Sequence, residues 1–78
     1  YITVRYISRA SKTQLITLYR RYFTGIHCLV KLIHDSFDPD RVLAGECIGD
    51  NEGFISLSVD NSNDKTTKVL ISFTNSQS

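Results

Sequence analysis

His27 and His34 lie two helical turns apart if their segment is helical, roughly 10 Å at about 1.5 Å of rise per residue, too far to share a metal ion without a ligand between them. Midway stands Lys31, a cation. Asp38-Pro39-Asp40 and Asp60-Asn61-Ser62-Asn63-Asp64 offer oxygen ligands, but neither has the glycine and distal acid of a calcium loop, so both read as turns whose short side chains bond their own backbone. His27 and Cys28 are sequence neighbours and point apart on a helix, as do His34 and Asp35, so neither pair is a nucleophile with its base. No serine sits in a Gly-x-Ser-x-Gly elbow, and Gly25, Gly45, Gly49 and Gly53 are too scattered for a phosphate loop. The expectation is a protein that is not an enzyme and holds no metal or cofactor.

Cys28 and Cys47 are too few for a disulfide scaffold, and neither belongs to a Cys-x-x-Cys pair. Two free thiols in a reducing compartment are expected, which favours an intracellular location; a single bridge between helix and sheet is the alternative. Asn61-Ser62-Asn63 and Asn75-Ser76-Gln77 both miss the N-glycosylation pattern.

The residues that would position any site fall into a short series of elements. Ile2, Val4 and Tyr6 alternate with Thr3, Arg5 and Ile7, so Tyr1 to Arg9 reads as a strand. Ser11 and Gln14 form a capping box that opens a helix. Behind it Leu15, Leu18, Tyr19, Tyr22, Phe23, Ile26, Leu29, Val30 and Ile33 keep helical spacing, which predicts one long helix from Lys12 to His34. Gly25 costs such a helix about 1 kcal/mol relative to Ala and marks the competing break. Pro39 ends the segment. Arg41 to Ile48, Gly53 to Asp60 and Thr67 to Thr74 then read as three antiparallel strands with one wet face, separated by Gly49 to Glu52 and Asn61 to Lys65.

That order, β-α-β-β-β, predicts an α+β fold: one long helix packed on an antiparallel sheet of about four strands. The predicted core is Leu18, Tyr22, Phe23, Ile26, Leu29, Val30, Ile33, Ile55, Leu57, Val59, Val69 and Ile71. The element order is similar to the cystatin helix-on-sheet type, and Arg41-Val42-Leu43-Ala44-Gly45 looks like the Gln-Val-Val-Ala-Gly loop of those protease inhibitors. In cystatins a full strand separates helix and loop, whereas here about a turn is expected between them, and no Trp-bearing second loop follows. No inhibitory residue is therefore carried over, and a helix-on-sheet protease inhibitor stands third among the readings of function.

With 78 residues, 41% of them hydrophobic and 22% charged, residues 1–78 fit a single small soluble interaction domain with a polar tail at 75–78. No apolar run approaches the ~18 residues of a membrane span. The absence of methionine, even at position 1, points to a processed chain or a domain of a larger protein. Its net charge of +1 hides a division: Arg5, Arg9, Lys12, Arg20, Arg21 and Lys31 precede Asp35 without one acid among them, and all eight acids follow.

Two surface features could carry binding. On a continuous helix Gly25, Cys28 and Leu32 form a small apolar strip suited to another protein or a second copy of this chain. Lys12, Arg20, Arg21, His27 and Lys31 form a basic ridge suited to nucleic acid or another polyanion. The leading expectation is a non-catalytic module for protein interaction, assembly or oligomerisation, docking through the outer helix face or an open sheet edge. Polyanion binding is its alternative.

Overall fold

The computed structural model describes residues 2–49, 52–63 and 65–75. In chain order the elements are β1 (Ile2–Ser8), α1 (Lys12–Gly25), β2 (Cys28–Leu32), β3 (Arg41–Cys47), β4 (Gly53–Asn63) and β5 (Thr66–Asn75). The strands form one five-stranded sheet in the order β1-β5-β4-β3-β2, and every neighbouring pair is antiparallel. The chain is thus α+β, one helix on an antiparallel sheet, with five strands rather than about four. Parts of both turns read from the sequence, at positions 50, 51 and 64, lie outside the described residues, as do Tyr1 and tail residues 76–78.

Strand pleating puts alternate residues on opposite faces. Cys28, Val30 and Leu32 of β2 share the helix side with Leu43 and Cys47, with Ile55, Leu57 and Val59, with Val69, Ile71 and Phe73, and with Ile2, Val4 and Tyr6 of β1. Leu15 and Phe23 close this core from above. At the helix start Ser11 Oγ accepts from the Gln14 N–H at 3.2 Å, while Gln14 Oε1 accepts from the Ser11 N–H at 2.9 Å. The expected capping box is present. Buried Thr67 donates its hydroxyl to the Ala10 carbonyl, which ties the β1–α1 turn to β5.

The long helix is not formed. α1 ends at Gly25, Ile26 caps it, and His27 takes the left-handed conformation (φ 65°) with its N–H on the Thr24 carbonyl. This resembles the left-handed turn that often follows a helix, although the residue here is histidine rather than glycine. The following five residues form β2, because Cys28, Val30 and Leu32 satisfy a two-residue period as well as the longer stripe satisfied a helical one. Pairing with β3 also satisfies the backbone of this segment inside the sheet.

Core membership changes accordingly. Phe23, Ile55, Leu57, Val59 and Val69 are buried as expected, and Val30, Ile33 and Ile71 are half-buried. Leu18, Tyr22, Ile26 and Leu29 are exposed, Leu29 to 72%. Leu29 faces away from the helix because it pairs with Glu46 on the opposite pleat.

Cys28 and Cys47 are directly opposite in register, 3.9 Å apart at Cα, and joined by a disulfide. The expectation of two free thiols is therefore corrected, and so is that of a helix-to-sheet bridge, since Cys28 belongs to a strand. The intracellular expectation loses the support those thiols gave it, because disulfides persist mainly in oxidising environments. Arg41–Gly45 lies within β3, in the strand expected over Arg41 to Ile48, paired to β2 and β4, but β2 and not merely a turn intervenes between it and the helix. Close approach explains Gly45. A Cβ there would lie 1.9 Å from the Leu29 carbonyl oxygen and 2.6 Å from the Val30 Cα.

Candidate protein-interaction surface

A helix is about 10 Å across and cannot cover five strands spaced about 4.8 Å apart. α1 lies over β2, β3 and β4, and reaches β1 through a hydrogen bond between the Tyr19 and Tyr6 hydroxyls. The rest of β1 on that side is apolar and bare. Exposure rises along it from 37% at Tyr6 through 47% at Val4 to 61% at Ile2. Beside them, half-buried Ile71 and Phe73 of β5 continue the same face through the pairs Val4 with Ile71 and Ile2 with Phe73. Phe73 lies low because Gly53 stands next to it; a Cβ at 53 would come within 2.9 Å of the ring.

The helix supplies the side of this strip. Ile16, Arg20 and Thr24 share a hollow with Leu32, so that flank of α1 faces β2. By the 100° step of the helix, Leu18 and Tyr22 occupy the opposite flank, toward β5 and β1. Both are exposed, and the Tyr22 ring meets Tyr19 edge-on with centroids 6.5 Å apart. Burial first, then the hydrogen bond to Tyr6, pushes the Tyr19 phenol well above the usual tyrosine range.

The two sequence-derived groups fare unevenly. Gly25 and Leu32 remain neighbours around the hollow beside Arg20, but Cys28 is buried in the disulfide, so the three form no helix strip. Among the basic residues Arg20 and Arg21 stay together on the outer helix surface, and Lys12 begins the helix half-buried. His27 is taken up by the turn, where its carbonyl accepts the Ile48 N–H. Lys31 pairs with Ala44 on the face away from α1, where it lines a cleft with Ser56 and Ser72. The ridge is split by the sheet.

On that far face the charges mix. Arg5 and Lys68 line a shallow cleft with Asp38, Asp40 and Asp60, floored by Leu70. Asp35 bonds the Phe37 N–H and pairs with Arg41 at 3.8 Å, a surface contact worth little. Among the described residues no three His, Cys, Asp or Glu side chains converge as metal ligands, and no helix is long and apolar enough to cross a membrane.

Sequence reasoning missed Ile2, Val4, Tyr6, Leu18 and Tyr22 as a surface. Alternation in β1 was a signal for one apolar face, but nothing in it shows which strands a shorter helix leaves uncovered. Comparison with protein-family models, curated proteins and solved structures returns no match.

Proposed function

We propose that this chain is a non-catalytic protein-interaction module that docks through the bare part of its helix-side sheet face and the adjoining β1 edge. One observation carries the reading: on the edge strand β1, beyond the contact of Tyr6 with α1, Ile2 and Val4 form an apolar row that the helix leaves uncovered. Contiguous exposed apolar surface is characteristic of protein-binding sites. The open edge adds unpaired backbone donors and acceptors.

Three immobilised chains test the reading: wild type, Val4→Asp, and Phe54→Ser on the opposite face. Capture of the same partner by wild type and Phe54→Ser, but not by Val4→Asp, is the expected result. Equal capture by all three would reject the surface. Binding that depends only on nucleic acid and falls steeply with salt would replace it with the polyanion reading.

A further inference from the structure

Resting on that interaction reading, we infer that the bare strip beside α1 receives an amphipathic helix of a partner protein whose polar flank is acidic. Width is the first reason. β5 and β1 together span about 10 Å, the diameter of one helix, so a helix laid there would fill the strip alongside α1. Its floor would be Ile2, Val4, Ile71 and Phe73, and its wall Leu18 and Tyr22. The Tyr6–Tyr19 hydroxyl pair closes the end nearest the β1–α1 turn.

Backbone chemistry is the second reason. An irregular segment pressed onto this apolar floor would bury N–H and C=O groups with nothing to pair them, whereas a helix satisfies nearly all of its own. An added strand would pair with the outer edge of β1 and leave the floor over β5 uncovered.

Charge selects the partner. Arg21 stands on the outer crest of α1, lining the hollow with Leu18 and Tyr22 as well as the one with Arg20 and Leu32, and Arg9 is exposed at the turn end. α1 carries no acid. Among the described acids, Asp38, Asp40 and Asp60 line the far-face cleft, and Glu46 pairs with Leu29 on that same far face. A partner helix with an acidic flank complements this border, while a basic one is repelled. The same charge argues against a second copy as donor, since α1 would bring Arg20 and Arg21 against Arg21.

Two synthetic helical peptides with one apolar stripe, differing only in a Glu-rich or Lys-rich polar face, provide the test. Binding to the whole chain is followed by fluorescence anisotropy and by amide NMR shifts. The acidic peptide should bind with shifts centred on Ile2, Val4, Tyr6, Leu18, Tyr22, Ile71 and Phe73, and the basic peptide about tenfold or more weakly. Arg21→Glu, an exposed change that leaves the core untouched, should reverse that preference, and Val4→Asp should weaken both peptides. Equal affinities, shifts centred on Ile7 and Phe54, or no binding of either peptide would overturn the inference. If neither peptide binds while protein capture still depends on Val4, the interaction reading stands and the acidic helix alone is wrong. Loss of both removes both.

Discussion

The two edges of the sheet are held by different means. β2 is five residues long, carries Lys31, is clamped to β3 by the Cys28–Cys47 disulfide, and lies under α1. β1 is longer, pairs only with β5 among the strands, and shows its apolar residues increasingly toward Ile2. Short length, a lysine and a covering element are means by which sheets protect an edge from unwanted pairing. β2 has all three, and β1 has a single arginine at its centre. The covalent clamp and the covering helix lie at one edge of this sheet, and the bare part of the helix-side face at the other.

The largest effect should come from pushing β2 away. Gly45→Ala places a methyl group against the Leu29 carbonyl and the Val30 Cα, and should cost about 3 kcal/mol or more in urea unfolding. A loss below about 0.5 kcal/mol, the range of an ordinary surface change, would show that β2 is not seated there. Opening the disulfide tests the covalent half of the same clamp. With the cysteines 19 residues apart, replacing both by serine should cost about 3 kcal/mol in the chain-entropy description. Unchanged stability, with or without reductant, would mean the bridge constrains nothing.

His27→Gly should act in the opposite direction. A left-handed backbone suits glycine, and the change should raise stability by about 1 kcal/mol, read as a higher denaturant midpoint at constant slope. Were it destabilising, the imidazole would have a role beyond the turn.

Smaller still is the effect expected on the stability of the exposed edge. Val4→Thr keeps strand propensity and should change stability by less than about 0.5 kcal/mol, while protein capture weakens measurably. A large loss of stability would show that β1 is as well packed as β2 and end the contrast. The Tyr6–Tyr19 contact yields the last prediction. Because the folded Tyr19 pKa is raised, the folded chain holds this proton where the unfolded chain releases it. Its contribution is therefore complete below about pH 10 and declines as pH rises further. Tyr19→Phe should flatten this alkaline decline; an unchanged pH profile would place Tyr19 in water.

Local signals in the sequence were legible where one interaction decided the outcome. Ser11 and Gln14 placed the helix start to the residue, since a capping box needs only neighbours three positions apart. Alternation in Gly53 to Asp60 and Thr67 to Thr74 located β4 and β5 and four core residues, Ile55, Leu57, Val59 and Val69. The failures share a cause. Ile26, Leu29, Val30 and Ile33 fit a helical stripe, but their segment also fits a strand, and periodicity cannot choose between two patterns that the same residues satisfy. With β2 hidden inside the apparent helix, the Gly25, Cys28 and Leu32 strip and the Lys31 end of the basic ridge were assigned to faces that do not exist.

Contacts between near neighbours and the order of charges were enough to read an α+β composition, the helix start, the alternating apolar faces of β1, β4 and β5, and the division of basic from acidic residues along the chain. That the helix stops after Gly25, that Cys28 meets Cys47, and that β1 lies beside β5 at an edge the helix does not cover became visible in the folded chain. Each depends on pairings between residues distant in sequence, whose gain appears only when both partners are in place. The bare apolar surface is a consequence of those pairings: a sheet five strands wide beneath a single helix that lies over β2, β3 and β4.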